Sequence, residues 1–121
     1  MRPNGITLYC PREMRAIEKA IEFVNENAEK QITADGLAEE YEITVKKLQR
    51  GFVKQTGKTV HSFLLSVRLQ KAKSILSDLD MEIKAIPQKI GFCTVSHFGY
   101  CFKRFTGLTP MEFRCQNISI E

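Results

Sequence analysis

Seven residues of this 121-residue chain return at one fixed interval: Thr44, Val45, Phe52, Thr56, Gly57, Thr59 and Phe63 reappear fifty positions on as Thr94, Val95, Phe102, Thr106, Gly107, Thr109 and Phe113. Upstream the interval is forty-nine, pairing Tyr41 and Ile43 with Ile90 and Phe92, so the second copy carries one extra residue before its Thr. A repeat with an insertion in its turn marks a duplicated supersecondary unit. The fold must house the same local structure twice. At 43% hydrophobic content the chain suffices for one modest core or two small ones.

Between the copies lies Thr59 to Ser77, where Phe63, Leu64, Val67, Ala72, Ile75 and Leu76 recur at three- and four-residue steps without Gly or Pro. This pattern predicts an amphipathic helix, which we read as a spacer. Before it, Pro11 opens a predicted helix with Met14, Ile17, Ile21, Val24 and Ala28 on one face and mostly Glu and Lys on the other. Thr33 is placed to cap a short helix through Tyr41, with Leu37, Ala38 and Tyr41 inward. After a turn at Glu42 and Ile43, Thr44 caps a longer helix that turns Leu48 and Phe52 inward and ends at Gly57. The second copy repeats this with a turn at Gly91 and Phe92, then a helix from Thr94 to Phe105 with Phe98 and Phe102 inward, closed by Gly107. Thr109, Pro110 and Glu112 form a capping box for a last helix in which Phe113 packs inward. A short helix, a tight turn and a longer helix with a polar outer face make a helix-turn-helix unit.

The net charge of +4 is unevenly spread. Residues 1 to 43 carry five basic and nine acidic residues, whereas Thr44 to Lys73 carries eight basic residues and no acid. Ile83 to Met111 is also acid-free and holds Lys84, Lys89, Lys103 and Arg104. Unbalanced positive charge in both copies points to a polyanion, since a merely solvated helix face would intersperse Glu. Roughly eighteen spacer residues at about 1.5 Å each span about 27 Å, a little under the ~34 Å between successive turns of a DNA major groove.

Other classes find less support. The opening MRPNGITLYCPREM lacks the apolar core of a signal peptide, and no apolar run approaches membrane-spanning length, so the expected location is the cytoplasm, with no membrane partner. Cys10, Cys93, Cys101 and Cys115 include no CxxC pair and read as reduced thiols. Cys93, His97 and Cys101 fall at four-residue steps, but the predicted helix starts only at Thr94, and neither a metal nor a cofactor is assigned. No cysteine is matched to a base and an orienting group, and carboxylates are absent from both basic stretches, so no enzymatic activity is expected.

With these residues in place, the chain resembles the DNA-binding domain of the AraC/XylS family of bacterial transcription regulators. The resemblance covers roughly Met14 to Arg114. It is most specific in GF-x-T-x-SHF-x-x-x-FKRFTG-x-TPMEFR, from Gly91 to Arg114, and is supported by LAEEYEITVKKLQRGFVKQTG and VRLQKAKSILS, which includes Arg68, Ala72 and Leu76. It implies an all-α fold of about seven helices: two helix-turn-helix subdomains, each with one reading helix, joined by a long linker helix that holds both in successive major grooves. The expected divisions are an arm at 1–10, a first subdomain at 11–58, the linker helix at 59–79, a second subdomain at 80–116 and a tail at 117–121.

By the same resemblance, base contacts fall to Lys46, Gln49 and Arg50 in the first copy and to Val95, Ser96, Gly99 and Tyr100 in the second. Thr44, Lys47, Lys54, Thr94, His97, Lys103 and Arg104 are placed for phosphates. Arg50 can bond guanine bidentately and Gln49 adenine, so the first helix is expected to carry most direct readout. The implied partner is double-stranded DNA at an asymmetric site, with RNA polymerase as a further partner and activation as the expected mode. Two departures bear on this. Pro87 stands where the family has a small residue, and Gly51 and Gly99 lie inside the reading helices, either for close approach to DNA or as tolerated weak positions. The rival reading is a basic helical module that binds an acidic protein partner. The duplicated unit at one-turn spacing favours DNA.

Overall fold

Among the described residues, threonines cap the starts of five helices, and left-handed residues follow the ends of four. The computed structural model describes residues 11–78 and 80–119, so the expected N-terminal arm lies outside the described residues. Seven α-helices follow in order: α1 (Pro11–Glu26), α2 (Ala34–Glu40), α3 (Val45–Thr56), α4 (Val60–Leu76), α5 (Ile86–Ile90), α6 (Val95–Thr106) and α7 (Pro110–Ser119). A single 3-10 turn, Ile83–Ala85, precedes α5, and no strand occurs among the described residues. The all-α, double helix-turn-helix architecture is as expected.

The chain divides into two compact units. One comprises residues 11–26 and Ile32–Phe63; the other comprises Asn27–Gln31 and the chain from Leu64 onward, so the boundary falls inside α4. In the first unit Ile17, Ala20, Val24, Leu37, Ala38, Leu48, Phe52 and Val60 are buried. Ala20 takes the inward place expected of Met14, which is exposed, and α1 stops at Glu26 before reaching Ala28. Gly51 is buried against α1, and a Cβ there would overlap the Ile17 side chain. Its missing side chain therefore serves the packing of α1 on α3 and not an approach to DNA.

The second unit has its own core of Leu69, Ala72, Leu76, Ile86, Ile90, Phe92, Phe98 and Phe102, with Phe113 packed against it. The aromatic rings meet edge-on or tilted, Phe92 with Phe98 at 5.5 Å and Phe102 with Phe113 at 5.4 Å between centroids. Such pairs add specificity to the area they bury.

Arg68 is 7% exposed and ties Asn27–Gln31 to this unit. Its Nε donates to the Ala28 carbonyl at 2.7 Å and one terminal nitrogen donates to the Lys30 carbonyl at 2.8 Å, while the guanidinium lies 5.8 Å from the Phe92 ring centroid. Burial lowers its pKa from the ordinary value. Within the basic stretch Thr44–Lys73 this charge is thus structural and unavailable to a polyanion. Arg114 acts similarly, donating to the carbonyls of Leu76, the last residue of α4, and of Asp78 beyond it, both at 3.0 Å.

The one-sided amphipathicity expected of the spacer is not observed in α4. Val60, Leu64, Arg68, Leu69, Ala72 and Leu76 are buried, most other residues are half-buried, and only His61, Ser62, Gln70 and Ser74 are exposed. A helix that supplies Val60 to one core and Leu69, Ala72 and Leu76 to another cannot keep a single apolar stripe.

The two turns are built alike. Ile43 N–H donates to the Ala38 carbonyl at 3.0 Å across Glu42 (φ 55), and Phe92 N–H donates to the Pro87 carbonyl at 2.8 Å across Gly91 (φ 103). Both are six-to-one closures around a left-handed residue. Ile43 runs directly into the Thr44 cap, whereas Cys93 separates Phe92 from Thr94, so Cys93 is the inserted residue. Pro87 is accommodated by a late start: α5 begins at Ile86, and Pro87 occupies a first-turn position whose N–H has no intrahelical partner in any helix. At the other end, α7 continues to Ser119, so the first three residues of the expected tail are helical.

Candidate nucleic-acid interface

In each unit, one threonine fixes the first turn of the second helix of the helix-turn-helix, α3 or α6. Thr44 Oγ1 accepts from Lys47 N–H at 3.2 Å, and Thr94 Oγ1 accepts from His97 N–H at 3.1 Å. Each hydroxyl keeps its own proton for an outside acceptor. The far ends match as well. Thr56 Oγ1 donates to the Phe52 carbonyl and accepts from Lys58 N–H, and Thr106 Oγ1 does the same with Phe102 and Leu108. Gly57 and Gly107 close the helices at φ 80 and φ 88.

With their ends fixed and Leu48, Phe52, Phe98 and Phe102 held in the cores, the outer faces are determined. On α3 the exposed residues include Lys46, Lys47, Arg50, Val53 and Lys54; on α6 they include Val95, Ser96, His97, Tyr100, Lys103 and Arg104. Neither helix contains an acid. On α6, Arg104 donates to the Tyr100 hydroxyl at 3.1 Å and its guanidinium sits 5.7 Å from that ring's centroid, one turn along the helix. Val95 and Tyr100 are 52% and 61% exposed.

A profile described as a helix-turn-helix domain, of AraC type, matches residues 37–116. This chain belongs to that AraC/XylS family. The xylose operon regulatory protein of Escherichia coli (strain K12) is 28% identical over 105 residues, which cover 87% of this chain and 27% of that protein. The transcriptional activator RhaS of Mannheimia succiniciproducens is 32% identical over 94 residues, covering 78% of this chain and 35% of that protein. The chain thus spans about a third of these relatives or less. Among solved structures, the DNA-binding domain of AdpA, a global transcriptional factor in complex with a target DNA, superposes with a TM-score of 0.82. At 19% identity, that likeness covers 88% of this chain and 96% of that one and speaks for the fold.

In this AraC/XylS domain the expected site residues fare unequally. Lys46 and Arg50 share one exposed face of α3, and Val95, Ser96 and Tyr100 stand open on α6. Gly99 is half-buried, with nothing within 4 Å of where a Cβ would stand. Gln49 is engaged within the fold. It is half-buried, and its Oε1 accepts the Val60 N–H at 2.9 Å, so the carboxamide is not free to bond adenine with both of its ends. Lys47 is exposed but paired with Glu13 of α1 at 2.7 Å. His97 lies against the Phe92 ring, 5.4 Å between centroids, with its Nε2 3.4 Å from Cys101 Sγ. Burial raises the pKa of that thiol. Among the described residues, no three His, Cys, Asp or Glu are grouped to hold a metal ion, and no helix is long and apolar enough to cross a membrane.

Sequence reading passed over Val53, which is 46% exposed beside Arg50 and Lys54. Its position three residues past Arg50 was the available signal.

Proposed function

We infer that this domain binds double-stranded DNA sequence-specifically as part of a bacterial transcription regulator, with α3 and α6 as its two reading helices. The supporting observation is the repeated outer face. Lys46, Arg50 and Lys54 on α3 correspond at fifty residues to Ser96, Tyr100 and Arg104 on α6, all exposed, on helices without acids. On this reading Lys46 and Arg50 carry most base recognition. Val95, Ser96, Gly99 and Tyr100 supply methyl, hydroxyl and close-approach contacts, and Thr44, Lys47, Lys54, Thr94, His97, Lys103 and Arg104 hold phosphates. The two helices enter successive major grooves of one asymmetric site, spaced by the 17 residues of α4. Activation is the mode we assign, in the cytoplasm. The exposed Glu18, Glu22 and Glu26 of α1 form the surface we assign to RNA polymerase.

The test is a titration of a labelled random duplex with this chain at rising salt. Binding that weakens by about a thousandfold between roughly 50 and 200 mM salt is expected, since about six cations displace condensed counterions. Absence of binding at low salt would overturn the reading in favour of an acidic protein partner.

A further inference from the structure

The side chain of Gln49 leaves the outer face of α3 and ends on the first turn of the next helix. There its Oε1 accepts the N–H of Val60, the first residue of α4, while Thr59 Oγ1 accepts from Ser62 N–H at 3.3 Å. Val60 is 1% exposed, so its N–H takes its partner from the protein, and Gln49 is the acceptor. The repeat supplies an independent observation. Fifty residues on, Gln49 corresponds to Gly99 and Val60 to Pro110. The second copy therefore lacks the acceptor and the donor together, because glycine has no side chain and proline has no N–H. Glu112 stands at the position of Ser62, and its carboxylate takes up the Thr109 N–H at 3.0 Å to cap α7 locally.

We propose that Gln49 is a positioning residue, which locks the roll of α3 against the start of α4 through the Val60 N–H and takes no direct part in base recognition. The proposal rests on the DNA-binding reading only in removing Gln49 from the base-contacting set. The bond itself is intramolecular. It also explains why α6 can carry glycine at the equivalent position, where no donor awaits a side chain.

Urea unfolding of Gln49→Ala, Val60→Pro, the double variant and Gln49→Glu tests the bond without DNA. Gln49→Ala should lower the folding equilibrium constant about fivefold, the usual effect of losing a cap. The same change in the Val60→Pro background should cost nothing further, since the donor is gone. Gln49→Glu should keep the wild-type midpoint, because a carboxylate accepts the same N–H and suits a helix N-terminus. On DNA, at a temperature where each variant is folded, Gln49→Ala should weaken all sequences by one common factor and leave base preferences unchanged. An unchanged midpoint in Gln49→Ala, an equal loss in the Val60→Pro background, or a base preference lost at one position would each overturn the proposal. Failure of every variant and of the wild type to bind DNA would count against the DNA-binding reading and leave the unfolding cycle to decide on the bond.

Discussion

A Cβ added at Gly51 meets the Ile17 side chain, whereas one added at Gly99 meets nothing within 4 Å. Gly51→Ala should therefore destabilise the fold by about 1–3 kcal/mol through overpacking, measured by urea unfolding. Gly99→Ala should stabilise α6 by up to about 1 kcal/mol. If its backbone approaches DNA closely, Gly99→Ala should nonetheless bind more weakly, and only comparing both measurements separates the two roles. Arg50 and Lys103 differ in the same testable way. Arg50→Ala should relax specificity at one or two base positions, whereas Lys103→Ala should weaken all sequences alike and reduce the salt slope by about one. Arg68 shows where residue type misleads. Counted by composition it belongs to a basic stretch, yet it holds the carbonyls of Ala28 and Lys30, some forty residues away in sequence. Nothing local to Arg68 announces that contact.

The element ends were legible because caps are local chemistry. Thr33, Thr44, Thr94 and Thr109 each accept the N–H three residues on, and Gly57, Gly91 and Gly107 are left-handed, as their positions implied. The burial pattern of α4 and the capping role of Gln49 were not legible, since both depend on which distant element packs there. Gly91 combines the two cases: its φ of 103 was foreseeable, but its closeness to the Arg68 guanidinium and the Ala28 carbonyl was not. Gly91→Ala should consequently cost on the order of 3 kcal/mol, combining left-handed strain with overpacking, as read by thermal unfolding. The α7 cap gives a pH dependence. The Thr109 N–H holds the Glu112 carboxyl below its ordinary pKa. Its contribution is therefore complete above the usual glutamate range and is lost as pH falls through the lowered value. Exchange protection of the Thr109 amide should decline over that acid window and be insensitive to pH in Glu112→Gln.

At the scale of the whole molecule, the repeat dictated two similar units, and the fold contains them, each with its own buried core and one acid-free helix with an exposed outer face. Their outer faces are unequal: α3 presents Lys46, Arg50 and Lys54, while α6 concentrates its cations at Lys103 and Arg104 and offers Ser96 and Tyr100 beyond Val95. A site read by this domain should therefore be asymmetric, with one half more sharply defined. Selecting bound duplexes from a random DNA pool and sequencing them tests this most directly. The account predicts enrichment of two blocks about one helical turn apart, with stronger base preference in one block, attributable to α3 by its loss in Arg50→Ala. Binding without enrichment of any sequence would contradict it.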